Sequence, residues 1–424
     1  MTIAQMMKQT IALFTLVLTQ SLSADVTGNA STHTSTIHAS AATVQLVPAN
    51  IQQKSDRLGW DEQIWGQGKK GDRQALLKAI DNSLRYLRSP QAIAAYQQYP
   101  LREITRDRVW RSLVRFSQLV INSHSPEQLQ AAVQQEFELY QFPAQDGKSE
   151  VLFTAYYEPI YPASRVKTAE YRYPLYRLPP DFASWTEPHP TRAELEGENG
   201  LLGAKSRLHG RELVWLRDRL EAFLVHIQGS ARLHLTDGSI MTVGYAGKTE
   251  FPYTSIGKEL IKDGKLPADG LTLPAVLQYF RQHPAELNTY LPRYRTFVFF
   301  QPTNNAAPHG YLGVPVTAER SIATDKSLTP PGALALIHTQ IPYFDRQGQL
   351  EQRTVSRYVL NQDTGSAIKG AGRVDYFMGT GDLAAKRAGV TVSNGQLYYL
   401  LLKGAHEQGR AGTSREQLSV TPDS

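Results

Sequence analysis

Three stretches before residue 142 carry apolar residues every three or four positions, which is the spacing of helices with one buried face. Their apolar positions are Leu76, Leu77, Ile80, Leu84 and Leu87; Val109, Leu113, Phe116 and Val120; and Leu129, Val133 and Phe137. Asp72 is placed to cap the first helix. Ser125 and Pro126 begin the third as its N-cap and first helical residue, and Gln128 completes a capping box. The sequence therefore predicts a helical segment that ends near residue 142.

From Glu150 onward, short segments rich in Val, Ile, Tyr, Phe and Thr alternate with Gly, Pro, Asn and Asp, a pattern typical of strands and turns. A hairpin is predicted at residues 232–243, where apolar and polar residues alternate on either side of an Asp-Gly turn. Residues 296–300 and 398–402 also have the pattern of strands, and the second of these is apolar on both faces. Many short strands without long helices between them favour a barrel or a sandwich.

Residues 1–24 have the pattern of an export signal: a positive charge, a largely apolar run at residues 11–18, and small residues ahead of a cleavage site. Cleavage after Ser23 and cleavage after Ala24 both fit this pattern, and we choose Ala24. The apolar run is shorter than the roughly 20 residues that a membrane-spanning helix needs. Residues 25–50, much of which is rich in Ser, Thr, Ala and His, are predicted to form a flexible linker.

The composition fits a folded protein of about two domains, with 424 residues of which 41% are hydrophobic and 20% charged. The formal charge of +6 suits an anionic partner, but ordinary solubility explains it equally well. No dense stripe of Lys and Arg occurs, so nucleic acid is not expected as a partner. The chain has no cysteine, which excludes disulfides, thiolate nucleophiles, cysteine-based metal sites and a lipid attached through cysteine.

Several common types of site have no counterpart in the sequence. The 11 histidines are scattered, and we place His226 and His234 on separate strands, so no metal site is predicted. Neither a phosphate-binding lysine loop nor a nucleophile-elbow serine occurs. Six tyrosines between residues 156 and 176 fit sugar stacking, although tyrosines in strands more often pack in the core.

Three carboxylates, Asp363, Asp375 and Asp382, fall within 20 residues. If residues 373–378 form a strand, Asp375 and Phe377 share one face. An aspartate beside an aromatic ring on a concave face is partly desolvated, which raises its pKa and lets it act as a general acid near neutral pH. The alternative is that Asp363 and Asp382 only fix turns, as aspartates beside Gly or Thr often do.

These motifs, in their order along the chain, resemble the membrane-bound lytic murein transglycosylase A family. The resemblance covers most of residues 150–405. The matching segments lie at 155–159, 173–176, 191–195, 225–231, 245–248, 253–258, 297–300, 323–327 and 330–332, and are followed by the aspartate cluster. A single segment is weak evidence, whereas so many in the family's order are specific.

The resemblance implies a mainly β protein: a double-psi β-barrel with a second β domain inserted in it, a helical N-terminal extension, and a groove where the two β domains meet. The expected divisions are 1–24 signal peptide, 25–50 linker, 51–159 helices and first part of the barrel, 160–301 inserted domain, 302–410 second part of the barrel, and 411–424 disordered tail.

The activity implied by the resemblance is non-hydrolytic cleavage of the β-1,4 bond between N-acetylmuramic acid and N-acetylglucosamine in peptidoglycan, which leaves 1,6-anhydro ends. Asp375 maps onto the family's catalytic acid, with Asp325, Asp363 and Asp382 as supporting carboxylates. The expected substrate-binding residues are Tyr157, Glu158, Gln228, Ser230, Lys248 and Lys369. The family needs neither a metal nor an organic cofactor.

Two other functions remain open at the level of the sequence. One is a hydrolase in which Asp363 or Asp382 is the second carboxylate, and the other is a wall-binding module without activity. The expected partners are peptidoglycan glycan strands and, further, other cell-wall enzymes, with no transmembrane segment. Members of the family are often lipoproteins, but this chain has no cysteine to acylate. We therefore expect an exported, periplasmic protein that is soluble or associated with the wall or outer membrane.

Overall fold

The described strands fall into two β-sheets, and the N-terminal helices cover the first. The computed structural model describes residues 45–49, 57–66, 71–143, 150–269 and 271–404. The predictions of a signal peptide at 1–24 and a tail at 411–424, and all but the last residues of the predicted linker, lie outside the described residues.

Within the described ranges, the strands are named here in chain order. They are β1 Val47–Pro48, β2 Phe137–Gln141, β3 Val151–Glu158, β4 Ile160–Ser164, β5 Tyr173–Tyr176, β6 Glu212–Leu216, β7 Ser230–Leu235, β8 Ile240–Lys248, β9 Val298–Pro302, β10 Ser321–Ala323, β11 Leu334–Phe344, β12 Leu350–Asp363, β13 Arg373–Thr380 and β14 Ser393–Leu402.

The helices of the same ranges are named likewise. They are α1 Arg73–Leu87, α2 Pro90–Gln97, α3 Arg106–Asn122, α4 Pro126–Glu136, α5 Arg192–Glu196, α6 Arg219–Gln228, α7 Ile256–Lys262, α8 Leu273–Gln282, α9 Leu287–Tyr290 and α10 Asp382–Gly389.

Six strands close into a barrel in the order β3, β14, β11, β12, β10, β13 and back to β3. The pairings of β10 with β12 and of β3 with β13 are parallel, and the other four are antiparallel. Closure leaves no exposed strand edge within the ring. Outside the ring, β2 pairs with β14 and β1 with β2. This mixed barrel, together with the second sheet and the N-terminal helices, confirms the predicted fold class.

The second sheet follows directly on the first barrel strand. Only Pro159 separates the end of β3 from the start of β4. The second sheet has the order β5, β6, β4, β7, β8, β9, and the chain re-enters the barrel at β10. The predicted hairpin at residues 232–243 is confirmed as β7 and β8. This sheet has an apolar core of its own, with Val214, Leu233 and Phe300 fully buried.

The predicted N-terminal helices cover the barrel, with α1 packed on β12 and α3 on β14. All four residues of the second predicted stripe, Val109, Leu113, Phe116 and Val120, are fully buried. Because helices cover one side of β14 and the barrel interior lies on the other, that strand is apolar on both faces, as predicted. The hydroxyl of Ser125 caps α4 by accepting a hydrogen bond from the Gln128 amide.

Some expectations about secondary structure were wrong. Phe137, taken as the last apolar position of a helix, begins strand β2 instead. Six helices follow residue 150, where we expected strands and turns, and none of them is longer than 10 residues. Helix α6 is buried on most of its sides, so it shows no clear helical stripe. The predicted linker reached residue 50, whereas Val47 already pairs with Gln141.

The carboxylate of Asp72 binds an arginine and does not cap α1. Asp72 stands at the N-cap position without a capping hydrogen bond. Its two oxygens accept from Arg320 Nε and Nη2 at 2.7 and 2.6 Å, and Arg320 Nη1 donates to Asp61 at 2.5 Å. Arg320 and Asp61 are both 0% exposed. This buried cluster ties the segment before α1 to the barrel strand β10.

We predict that Arg320→Met lowers the free energy of unfolding by about 3–5 kcal/mol, because it removes the cation nearest to the buried Asp61 carboxylate and leaves only Arg357, 3.5 Å away, to pair with it. Chemical denaturation measures the change. The control is Arg165→Met, which breaks an exposed ion pair with Asp237 and is expected to cost less than about 1 kcal/mol. Equal effects of the two substitutions would contradict the prediction that the buried cluster stabilises the fold more than an exposed ion pair does.

Candidate active site

The candidate catalytic aspartate lies on the outer face of the barrel, on strand β13. Alternation along this strand buries Val374 and Tyr376 in the barrel core, so Arg373, Asp375 and Phe377 share the opposite face. This confirms the face predicted for Asp375 and Phe377. In the parallel pairing with β3, Asp375 lies opposite Thr154.

The Asp375 carboxyl group is half-buried and accepts one hydrogen bond, from Thr154 Oγ1 at 2.7 Å. Burial raises its pKa from 3.8 to about 6, and the negative charge of Asp363 acts in the same direction. The Thr154 hydrogen bond and the positive charge of Arg373 partly oppose this rise. A carboxyl group with a pKa near 6 is half protonated at that pH and keeps a minor protonated fraction at neutral pH, which is the form that a general acid requires.

A second aspartate, Asp363 at the end of β12, is held by three hydrogen bonds. The Tyr156 hydroxyl donates to Oδ2 at 2.7 Å, and the amides of Tyr311 and Thr364 donate to Oδ1, both at 2.8 Å. The Tyr156 ring also packs against Phe377, with ring centroids 5.1 Å apart. Burial raises the pKa of Asp363, although these hydrogen bonds act in the opposite direction. Asp363 thus has a fixed position close to Asp375.

Lys326 and Asp325 fix the two loops that flank Asp363. The Lys326 ammonium donates to Asn361 Oδ1 at 2.6 Å and to the main-chain oxygen of Asp363. Asp325 accepts from the Gly370 amide at 2.8 Å and from the hydroxyl of Ser327 at 2.7 Å. Burial alone would raise the pKa of Asp325, but these hydrogen bonds hold it below its usual value. Asp325 therefore remains ionised and serves as a structural anchor.

The second β domain contributes Tyr253 to the surroundings of Asp375. Its ring is 42% exposed and packs edge-on against Tyr294 at a centroid distance of 5.9 Å. Burial of the hydroxyl raises its pKa, and the charges of Arg373 and Asp375 also act on it. The hydroxyl of Tyr253 is thus within electrostatic reach of both residues, across the space between the two β domains.

Three of the predicted substrate-binding residues meet where the barrel joins the second sheet. Glu158 is 1% exposed, accepts from Thr380 Oγ1 at 2.8 Å and lies 3.8 Å from Arg232 Nε of β7. Tyr157 is also buried, and its amide donates to Gln228 Oε1 at 3.0 Å. These contacts join β3, β13 and the second sheet, and they leave Glu158 without access to a ligand.

The other predicted residues lie apart from the Asp375 cluster. Ser230 is buried in β7, Lys248 pairs with Glu250 at 3.2 Å, and Lys369 is exposed beside Asp325. Asp382 is exposed in the first turn of α10. The structure therefore brings Asp375 and Asp363 together, with Asp325 supporting the neighbouring loop, and places Asp382 outside this cluster.

Sequence reasoning missed Thr154, Lys326 and Arg373 as members of the site. Thr154 directly precedes the tyrosine motif at 155–159, and Lys326 lies inside the motif at 323–327, but neither motif indicates which side chains point toward Asp375. Arg373 was recoverable from its spacing alone, because a residue two positions before Asp375 on a strand lies on the same face. Pairing across 221 residues, from Thr154 to Asp375, has no local signal.

In the described part of the chain, no group of three His, Asp or Glu side chains is arranged to hold a metal ion. His226 is on helix α6 and not on a strand as expected. It is 4% exposed and packs beside Arg192, with Nδ1 3.1 Å from the guanidinium. Burial lowers its pKa well below the usual value, so it is a neutral core residue.

None of the helices within the described ranges combines the length and the apolar character needed to cross a membrane.

Two known domain families match the chain. Residues 152–301 match the MltA specific insert domain, and residues 320–401 match the 3D domain. The first match includes β3 from its second residue onward and the second sheet up to the last residue but one of β9. The second includes β10 to β13 and most of β14, and therefore Asp325, Asp363 and Asp375.

Similar proteins carry one activity in their names. The chain is 32% identical over 263 residues to membrane-bound lytic murein transglycosylase A of Escherichia coli K12, which is 62% of this chain and 68% of the relative. A membrane-bound lytic murein transglycosylase from Agrobacterium tumefaciens has a TM-score of 0.66 at 26% identity, covering 84% of this chain and 98% of that one. E. coli MltA with bound chitohexaose has a TM-score of 0.63 at 25% identity, covering 85% and 94%.

We predict that Thr154→Val raises the pKa of Asp375 further above its value of about 6, because the lost hydrogen bond favours the ionised form. Carboxyl ¹³C NMR across a pH titration measures this directly. Thr380→Val is the matched control, since it removes the 2.8 Å hydrogen bond that Thr380 donates to Glu158, which lies on the same strand as Thr154. A shift of the Asp375 pKa in the control but not in Thr154→Val would contradict the assignment.

Proposed function

Because the chain belongs to the membrane-bound lytic murein transglycosylase A family, we propose that it cleaves the β-1,4 bond between N-acetylmuramic acid and N-acetylglucosamine in peptidoglycan, with Asp375 as both acid and base. The observation that carries the proposal is the half-buried Asp375 carboxyl group, whose pKa burial raises to about 6. The family relationship supports a lytic transglycosylase acting on peptidoglycan, and the geometry of β13 supports the role of this residue.

Two proton transfers make up the proposed reaction. Protonated Asp375 donates to the glycosidic oxygen as its bond to C1 of the muramoyl residue breaks. The resulting carboxylate then accepts the proton of the muramoyl 6-hydroxyl while O6 bonds to C1. The products are a 1,6-anhydromuramoyl end and a free 4-hydroxyl on N-acetylglucosamine. No water is consumed, and Asp375 ends the cycle protonated again.

The contacts of the other carboxylates favour this mechanism over hydrolysis with a second carboxylate. Both oxygens of Asp363 already accept hydrogen bonds, three in all, which makes it a poor nucleophile or base. Its charge raises the pKa of Asp375, so its proposed role is to keep the acid protonated. Asp382 is exposed in α10, apart from the hydrogen bonds that surround Asp375.

Location follows from the proposed substrate. Peptidoglycan lies outside the cytoplasmic membrane, so we propose that the protein acts there, in the periplasm or on the wall or outer membrane. The relatives are named as membrane-bound, but this sequence has no cysteine through which a lipid can be attached.

We predict that Asp375→Asn abolishes cleavage of purified peptidoglycan sacculi, with a loss of at least roughly 10²- to 10⁴-fold, because asparagine cannot donate and recover the proton. Mass spectrometry of the released fragments is the measurement. Wild-type protein is expected to give anhydro ends, whereas hydrolysis would give fragments heavier by about 18 Da, the mass of one water.

Asp382→Asn serves as the control and is expected to keep most of the activity, while Asp363→Asn is expected to be intermediate. Melting temperature and sacculus binding distinguish loss of chemistry from loss of folding. Near wild-type turnover by Asp375→Asn would rule out the assignment, and heavier fragments from the wild type would rule out the transglycosylase mechanism.

The pH dependence of kcat/KM is expected to follow the protonation of Asp375. Protonated Asp375 is the form that starts the reaction, and its fraction falls as pH rises through about 6. We therefore predict that kcat/KM declines above that pH, and that Thr154→Val moves this decline to higher pH. A rate that rises steadily from pH 5 to 8 in the wild type would contradict the role of Asp375 as acid.

A further inference from the structure

A guanidinium group lies beside the proposed proton donor. Arg373 is two residues before Asp375 on the outer face of β13, and its side chain is half-buried. Arg373 Nη2 donates to Thr154 Oγ1 at 3.3 Å, and that hydroxyl in turn donates to Asp375 at 2.7 Å. The cation therefore approaches the reacting carboxyl group through one shared threonine.

The charge of Arg373 has no fixed counter-charge. No carboxylate in the described ranges forms a salt bridge with it, and its Nε is buried without a hydrogen-bond partner there. In the proposed reaction, the neighbouring Asp375 is protonated when substrate binds, so it supplies no negative charge at that stage. A buried donor without a partner is unfavourable, and an anionic ligand would satisfy it.

Three other basic side chains near the site already have partners. Lys326 donates to Asn361 and to the main chain of Asp363, Arg232 lies 3.8 Å from Glu158, and Lys248 pairs with Glu250. Arg373 differs from these three in having a buried donor nitrogen, Nε, without a hydrogen-bond partner in the described ranges.

The guanidinium is also close to the second β domain. Its charge acts on Tyr253 of the second β domain, as does that of Asp375. A glycan whose glycosidic oxygen reaches Asp375 therefore comes within reach of Arg373, which is two residues away on the same face of β13.

Building on the proposed function, we propose that Arg373 binds a carboxylate of the peptidoglycan strand and so distinguishes it from neutral polysaccharides. Muramic acid differs from N-acetylglucosamine by its 3-O-lactyl group, which is a free carboxylate in peptide-free strands. In peptide-bearing strands the lactyl carbonyl is an amide, and the carboxylates belong to the stem peptide. The planar guanidinium fork matches a carboxylate in geometry as well as in charge.

Binding measurements in an Asp375→Asn background test this without turnover and without the effect of Arg373 on the pKa of Asp375. Three ligands are compared: neutral chitohexaose, peptide-free strands of alternating N-acetylglucosamine and muramic acid, and peptide-bearing strands. Adding Arg373→Gln is expected to weaken binding of a carboxylate-bearing strand about tenfold or more and to change chitohexaose binding less than twofold.

The glycan strand whose binding is weakened shows which carboxylate Arg373 binds. Weaker binding of peptide-free strands identifies the lactyl carboxylate as the group that Arg373 binds. Weaker binding of peptide-bearing strands alone identifies a carboxylate of the stem peptide. Arg373→Lys keeps the positive charge but lacks the planar guanidinium, so it is expected to retain part of the preference for carboxylate-bearing strands. It replaces Arg373→Gln in the test if the glutamine variant does not fold. Arg346→Gln, an exposed arginine on the turn between β11 and β12, controls for the change in net charge.

Two results would overturn the inference: equal weakening for chitohexaose and the carboxylate-bearing strands, or no weakening for either. Failure of the proposed function is recognised separately, from the fragments that the wild-type protein releases. Anhydro ends from the wild type together with unchanged binding by Arg373→Gln would reject the role of Arg373 alone.

Discussion

The parallel pairing of β3 with β13 is the contact on which the rest of the active site depends. It closes the barrel, and it sets Thr154 opposite Asp375, so that the hydrogen bond to the acid is fixed by the sheet itself. The second β domain leaves the barrel one residue after β3 ends. The strand that supports the acid thus also positions the domain opposite it, and any shift in this register would disturb both.

Asp375 has a balance of opposing influences that neither burial nor charge would give alone. Burial and the Asp363 charge favour its neutral form, whereas Thr154 and Arg373 favour the ionised form. A group that must both donate and accept a proton within one cycle needs such a balance, because too high a pKa weakens the acid and too low a pKa weakens the base. Asp325 shows the other outcome: hydrogen bonds to its carboxylate outweigh burial, and it stays ionised.

Some expectations failed because the local sequence pattern was weaker than the tertiary contacts that competed with it. Phe137 continued the apolar spacing of α4, but tertiary pairing with β14 made it a strand residue. Helix α6 carries seven buried residues between positions 219 and 226, so no amphipathic stripe marked it as a helix. Asp72 has the right position for a cap, yet its carboxylate binds Arg320, which is 248 residues away in the sequence. In each case a distant partner decided between two locally acceptable structures.

The sequence by itself determined the helical N-terminal segment, the change to strands near residue 150, the hairpin at 232–243 and the shared face of Asp375 and Phe377, because these follow from spacing within a single element. Its motifs also identified the family. The tertiary structure alone decided that Thr154 and Tyr253 lie near Asp375, that Asp363 is close to it while Asp382 is not, and that Glu158 is buried. The physical reason is that desolvation, hydrogen bonding and charge act through space, and the residues that set the chemistry of Asp375 come from strands and loops far apart along the chain.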